Sequence, residues 1–311
     1  MSDVVKICVN VLTYKQENLL PRCLDSILRE KDYIQEVNVF DDCSPDGTWG
    51  VVEKYMKDYP GIVKGYRNAE NLGIMRNIEQ SWSKATGDIV VQMDGDDEFC
   101  DGFFQKVSEF IVDNKIDYKN ELFCIYSNFK VQHGNGISKI IKNNKIVTKG
   151  LDLIRLKVRY IILSRACVFS RKIMDKFHHV KELEGCGEFI DGLYEIQLQE
   201  YSEKSYYLDY VSSIYYSNIG ITATADVEEI IRSCKAERDI FPKLYKMNDK
   251  DIKFLEYNYL QHKLRYKFNI KEFVKCMKYW VQSIEPEFGI KGLGLYYIAT
   301  LFYRIIFGNR K

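Results

Sequence analysis

Apolar and polar residues alternate in blocks along the first hundred positions. Lys6–Leu12, Val37–Phe40, Ile62–Tyr66 and Ile89–Met93 are short β-branched or apolar runs bounded by polar turns, the pattern of buried strands. Between them, Leu19–Leu28, Thr48–Met56 and Ile74–Ser83 carry apolar side chains at helical spacing, the first around Pro21 near its start. Strand and helix in turn at this pitch predict a parallel sheet with helices on both faces. Ligands of such sheets bind beyond the carboxyl ends of the strands. The polar residues that follow each strand are therefore the ones to inspect.

From about Gly102 to Ile221 the pattern continues with a helix at Phe103–Val112, a strand at Phe123–Val131 and a polar hairpin-like stretch at His133–Lys145, after which helix and strand signals mix through Tyr216. From Val227 onward the spacing is helical, and with no repeat or low-complexity linker in view the boundary falls near Ala225. The expected organisation is an α/β domain over residues 1–225 and a helical region over 226–311. The run Leu293–Phe307 is too short for the ~20 apolar residues of a membrane span. With Lys291, Arg304, Arg310 and Lys311 around it, it suits either a terminal helix docked on the core or a helix lying in a lipid headgroup layer.

Composition narrows the class of function. With 46% hydrophobic and 29% charged residues over 311 positions, the chain has the material for a large core. Its 45 basic and 44 acidic residues nearly cancel, so no global field draws it to nucleic acid. Nine cysteines occur singly, without a Cys-x-x-Cys pair, which suits a reducing compartment. The first residues lack the basic and then long apolar run of a signal peptide, so the expected location is the cytoplasm.

The most informative segment is Val90-Val91-Gln92-Met93-Asp94-Gly95-Asp96-Asp97-Glu98, an apolar strand that ends in a carboxylate cluster. Adjacent acids repel one another, and a cation at the site would offset that repulsion. Magnesium is held by one or two carboxylates together with substrate phosphates, and manganese accepts the same oxygen ligands. A solvated acidic turn is the plainer alternative. A second acidic pair, Asp41-Asp42, ends another expected strand, and the first strand ends in Thr13-Tyr14-Lys15. Parallel strands would bring all three ends to one rim, where a tyrosine ring can stack on a nucleobase and a carboxylate can accept from a ring N–H. Turn chemistry leading into a helix cap, through Ser44-Pro45-Asp46-Gly47, accounts for Asp41-Asp42 equally well.

Four motifs in order, strand–Thr-Tyr-Lys, Phe-Asp-Asp-Cys-Ser-Pro-Asp-Gly-Thr, Glu-Asn-Leu-Gly-Ile-Met-Arg-Asn and Ala-Thr-Gly-Asp-Ile-Val-Val-Gln-Met-Asp-Gly-Asp-Asp, resemble the family-two glycosyltransferases of GT-A fold over about Lys6–Asp97, with a weaker continuation to Thr222. The resemblance implies an inverting, metal-dependent transferase that moves a sugar from a nucleoside diphosphate donor, UDP first among the candidates, to a glycan or lipid-linked acceptor in bacterial surface polysaccharide synthesis. Residues 1–100 would form the nucleotide-sugar half and 101–225 the acceptor half. Tyr14 and Asp42 would hold the nucleobase, with Asp41 beside them and Thr13 in the same donor site, and Arg76 would contact donor phosphates or the base. Asp94 and Asp96, with Gly95 between them, would form the D-x-D that meets the donor ribose and a Mn2+ or Mg2+ ion, with Asp97 a third ligand candidate. Asp191 aligns with the base that activates the acceptor hydroxyl, and Glu188 is its substitute. Such a base makes chemical sense, since a sugar hydroxyl is a poor nucleophile until a positioned group takes its proton. Asp191 as a cap of the helix after it is the structural alternative.

The resemblance has two departures, one of which is around Arg76, where the longer Ala-Arg-Asn spacing of many members is absent. In the other, members often carry a Tyr-Arg-x-His-like stretch where this chain has Tyr215-Tyr216-Ser217-Asn218-Ile219-Gly220-Ile221-Thr222, so no histidine stands there for a metal. His133, His178, His179 and His262 fit no metal spacing. Two other readings compete. A sugar nucleotidyltransferase should show a glycine-rich, Arg-containing loop after the first strand, and Thr13-Tyr14-Lys15-Gln16-Glu17 is not one. A non-catalytic glycan-binding or scaffolding relative should have lost carboxylates, yet Asp42, Asp94, Asp96 and Asp191 are all present.

Overall fold

Three strands rich in valine and isoleucine, β1 (Ile7–Thr13), β2 (Ile34–Asp41) and β4 (Ile89–Asp94), form the parallel part of the sheet together with the edge strand β3 (Val63–Arg67). The computed structural model describes residues 4–143, 166–183, 192–217, 219–220, 226–245 and 247–284. β1 lies between β2 and β4, β3 flanks β2, and every pairing among the four is parallel. All seven residues of β1 are buried, as a strand covered on both faces requires. Crossovers are made by α1 (Leu20–Leu28), α2 (Thr48–Asp58) and α3 (Ile74–Trp82). α1 opens on Pro21, whose missing N–H removes no helical bond at that position, and buries Leu20, Cys23, Leu24, Ile27 and Leu28.

The second half turns the sheet from parallel to mixed. Its elements are β5 (Glu98–Phe99), α4 (Phe103–Asp113), β6 (Phe123–Gln132), β7 (Ser138–Ile141), β8 (Val168–Ser170), α5 (Gly192–Tyr201) and β9 (Lys204–Tyr216). The strand order is β3-β2-β1-β4-β8-β6-β9-β5, with β7 paired to β6 as the expected hairpin. β8 runs antiparallel to both β4 and β6 and joins the two halves. β9, thirteen residues long, runs parallel to β6 and antiparallel to β5. Its tyrosine-rich sequence had given mixed helix and strand signals, and the ladder to β6 decides for strand. The core runs beneath both halves, from Ile7, Val9 and Val91 to Phe99, Phe103, Phe104 and Phe123.

The C-terminal helices α6 (Val227–Leu244), α7 (Asp249–Tyr266) and α8 (Ile270–Ser283) belong to a second compact unit. Each begins at an Asx residue whose side chain accepts from backbone amides of the first turn: Asp226 from Glu228, Asn248 from Asp251, and Asn269 from Lys271 and Glu272. Tyr257, Leu260 and Leu264 of α7 bury against Cys276 of α8. Among the described residues no helix is long and apolar enough to cross a membrane. The run Leu293–Phe307 lies outside the described residues.

Candidate active site

Register sets the rim. Asp41 of β2 pairs with Thr13 of β1 on one side and Arg67 of β3 on the other, and Leu12 of β1 pairs with Asp94 of β4. The ends of four parallel strands thus stand in a row at the carboxyl edge, where α/β sheets bind ligands.

Asp41 is fully buried; its carboxylate accepts from the Ser44 amide at 3.2 and 3.3 Å and lies 3.2 Å from Arg67 Nε. Burial pushes this carboxyl up, and the Ser44 hydrogen bonds and the Arg67 charge only partly offset it. Asp42 has a different job. Its Oδ1 accepts from Asn68 Nδ2 at 2.8 Å and from the Leu72 amide at 2.9 Å, and its Oδ2 from the Gly73 amide at 2.9 Å. Three of a carboxylate's roughly four lone-pair sites are therefore filled, two by the Leu72 and Gly73 amides of the turn in front of α3 and one by Asn68. Gly73 has a φ of 80°, which only glycine adopts without strain. Asn77 extends the network, accepting from Asn68 at 3.1 Å and donating to the Phe40 carbonyl at 3.1 Å.

The Thr13 hydroxyl is buried and donates to Gln16 Oε1 at 2.8 Å, while the half-buried Tyr14 ring lies 4.9 Å from the Lys15 ammonium. Arg76 stands on the first turn of α3, with Nη1 3.0 Å from Glu79 Oε2; the other oxygen of Glu79 meets His179 Nδ1 at 2.5 Å. His133 bonds to Ser217 and His178 to Tyr201.

β4 ends at Asp94 in a tight turn closed by the Asp97 amide on the Asp94 carbonyl, 3.1 Å. Gly95 presses against β1, donating to the Leu12 carbonyl at 2.8 Å; a Cβ there would lie 2.5 Å from Gln16 Oε1. Asp94, Asp96 and Asp97 each present an oxygen within 4.8 Å of the others. The buried thiol of Cys23, 3.8 Å from the Asp94 carbonyl, is pushed well up, by burial first and then by the charges of Asp97, Asp96 and Asp94. An all-oxygen set of this kind fits a magnesium or manganese ion, whose charge would offset the repulsion among the three acids.

Three residues at this cluster lay outside the expected site. Arg22 of α1 donates from Nη2 to the Asp96 carbonyl, lies 3.8 Å from the Tyr216 ring centroid and has Nε 3.7 Å from Glu98 Oε2. Tyr216 donates its hydroxyl to Glu98 Oε1 at 3.0 Å and its amide to Asp97 Oδ1 at 3.3 Å. A Cβ on Gly220 would sit 1.8 Å from Asp96 Oδ2. The stretch noted for lacking a histidine thus reaches the acids through the Tyr216 amide and the close approach of Gly220, carried there by the β5–β9 pairing of Glu98 with Ile214. Within that stretch Asn218, Ile221 and Thr222 lie outside the described residues, as do Asp191 and Glu188. α5, which starts just after Asp191, packs its Tyr194 ring on Trp82 and Phe177, with centroids 5.8 and 4.8 Å apart, and donates the Tyr194 hydroxyl to Gln92 Oε1 of β4 at 3.4 Å.

The chain spans about a third or less of the curated relatives it matches. It is 33% identical over 96 residues to a dolichol-phosphate mannosyltransferase of Pyrococcus furiosus, 30% of this chain and 26% of that protein. It is 30% identical over 102 residues to the uncharacterized glycosyltransferase MG025 homolog of Mycoplasma pneumoniae, 32% of this chain and 34% of that protein. Among solved structures it resembles S. aureus TarS 1-349 in complex with UDP-GlcNAc, with a TM-score of 0.61 at 16% identity over 97% of this chain and 88% of that one. It also resembles the mannosyltransferase PcManGT of Pyrobaculum calidifontis in complex with GDP-Man and Mn2+, with a TM-score of 0.55 at 14% identity over 98% and 88% of the two chains. These likenesses establish the GT-A fold. A family model described as glycosyl transferase family 2 matches residues 8–177, more than half of the sequence, and the chain belongs to that family.

Proposed function

We propose that this protein transfers a sugar from a nucleoside diphosphate donor, with UDP the favoured carrier, to a hydroxyl of a glycan or lipid-linked acceptor, inverting the anomeric carbon. The observation that carries the reading is the row of strand ends that brings Thr13, Asp41 and Asp94 together at one edge, beside the Asp94, Asp96 and Asp97 carboxylates. Tyr14 stacks on the base and the remaining lone pair of Asp42 accepts from a ring N–H, while the buried Asp41 beside them fixes the Ser44 turn and Arg67. Arg76 meets the donor phosphates. Asp94 orients the ribose, and Asp94 and Asp96, with Asp97, hold a Mn2+ or Mg2+ ion that supplies positive charge to the departing diphosphate. Nucleotide sugars and Mn2+ in the two related structures support this assignment.

Asp191 takes the proton of the acceptor hydroxyl as the new glycosidic bond forms on the face opposite the leaving group. Its support is its place immediately before α5, which bonds through Tyr194 to Gln92, two residues ahead of Asp94. Residues 1–225 carry the transfer and 226–311 serve as an accessory helical region. The work is done at the cytoplasmic side of a bacterial membrane. A donor screen tests the proposal. Release of the nucleoside diphosphate from one nucleotide sugar is expected when a suitable acceptor is present. Asp191→Asn is expected to lose transfer by a factor of about 10²–10⁴ while keeping donor affinity. Full turnover in that variant removes Asp191 from the mechanism.

A further inference from the structure

The second compact unit presents a surface that its own packing leaves open. α8 buries Cys276 and Ser283 and packs Phe273, Tyr279 and Trp280 toward α7. On a different side it exposes Ile270 at 61%, Val274 at 63% and Val281 at 57%. At about 100° per residue these three and the half-buried Met277 fall within an arc of roughly 60°. Aliphatic side chains in line and in water call for a partner, since a lone exposed leucine or valine is ordinary but a stripe along a helix is not.

The charges beside the stripe say what the partner is. Lys278, Lys271 and Lys275 follow it around the helix in an arc of about 80–140° measured from Ile270. All three are exposed, and Lys267, in the turn that leads into α8, is exposed too. Glu272 is the one acid in Ile270–Ser283, and Lys263 Nζ holds it at 2.5 Å. The exposed side of α8 is thus an aliphatic stripe beside a lysine ridge, the arrangement of a helix that lies in a headgroup layer with its apolar side chains inserted and its ammonium groups on phosphates. We propose that α8 docks this protein on an anionic lipid surface, with Ile270, Val274 and Val281 entering the acyl boundary and Lys271, Lys275 and Lys278 on the phosphates. The proposal stands apart from the transferase reading, because it needs neither nucleotide nor acceptor.

Co-sedimentation of the full chain with vesicles tests it. Phosphatidylcholine–phosphatidylglycerol vesicles are compared with phosphatidylcholine alone, at low and at high salt. The wild type is expected to bind the anionic vesicles, more weakly as salt rises. Reversing three lysines (Lys271→Glu, Lys275→Glu, Lys278→Glu) is expected to weaken partitioning by about a hundredfold or more. The triple change Ile270→Ser, Val274→Ser, Val281→Ser is expected to lose at least about tenfold. The substituted positions are largely exposed, so unchanged thermal midpoints will verify that both variants fold. Absence of wild-type binding overturns the proposal, and so does wild-type affinity in either variant, which would assign the contact to another part of the chain. A dimer that the serine variant converts to monomer also overturns it, since a second copy would then cover the stripe.

Discussion

Gly220 approaches Asp96 so closely that a side-chain carbon at its position would lie 1.8 Å from Oδ2. Its φ of +75° adds strain of about 1–2 kcal/mol for any L side chain. The atom in the way is the end of the Asp96 carboxylate, so that group must swing aside in Gly220→Ala. The variant is expected to lose at least about tenfold in metal-supported nucleotide affinity, with a melting temperature only a few degrees lower. Isothermal titration of the variant checks this. Wild-type affinity would mean that binding does not depend on where the Asp96 carboxylate stands.

Arg22 joins α1 to the acid turn and to β9 at once, through the Asp96 carbonyl, the Tyr216 ring and Glu98. Arg22→Met keeps the aliphatic stem and removes the guanidinium. A loss of about 1–3 kcal/mol is expected in denaturant unfolding, the sum of a cation–π contact and a charge-assisted hydrogen bond. An unchanged midpoint would show that the stack adds nothing.

Asp42→Ala should leave the Leu72 and Gly73 amides without their acceptor and remove one of the two acceptors of the Asn68 side-chain amide, Asn77 remaining as the other. The expected destabilisation is about 2–4 kcal/mol, and amide exchange should speed up at Leu72 and Gly73 ahead of the rest of the sheet. Uniform exchange across the sheet would contradict a local role for Asp42.

Away from the site, Glu36 predicts an acid transition. Burial pushes its carboxyl up, but hydrogen bonds from Lys64, the Thr86 amide, Asn38 and Cys8 outweigh burial and bring it down to about 2 from an ordinary value of 4.5. A carboxyl lowered by folding stabilises the native state above its unfolded value. Its contribution is lost as pH falls from about 4.5 toward 2. Glu36→Gln should therefore lower stability at pH 7 and flatten the fall in stability over that window. Parallel curves for the two proteins would rule out Glu36 as a source of the acid sensitivity.

β1, β2 and β4 were legible because each is a largely buried apolar run such as Ile-Val-Val-Gln-Met, and β3, at the edge of the sheet, because Ile62–Tyr66 stands between polar turns. Their ends held the acids for the same reason: an apolar run that stops at Asp41 or Asp94 marks where the sheet meets solvent. β8 was not legible, since three residues are too few to show a period and its partners β4 and β6 lie far away in sequence. Arg22, Tyr216 and Gly220 escaped for a related reason. Nothing local marks them, and Tyr216 meets Asp97 across 119 positions only because β9 folds back on β5. The base-contact role of Asp42 came from the family resemblance; the hydrogen bonds that tie it to the Asn68–Gly73 turn depend on backbone geometry that no residue pattern displays.

Calorimetric titration with UDP, GDP and dTDP, each with manganese and again with a chelator, tests the central assignment most directly. One nucleotide is expected to bind with metal, and that binding should fall away with the chelator and in Asp96→Ala, naming the donor class at the same time. Failure of all three to bind, or binding that neither the chelator nor Asp96→Ala weakens, would contradict a nucleotide and metal site at the ends of β1, β2 and β4.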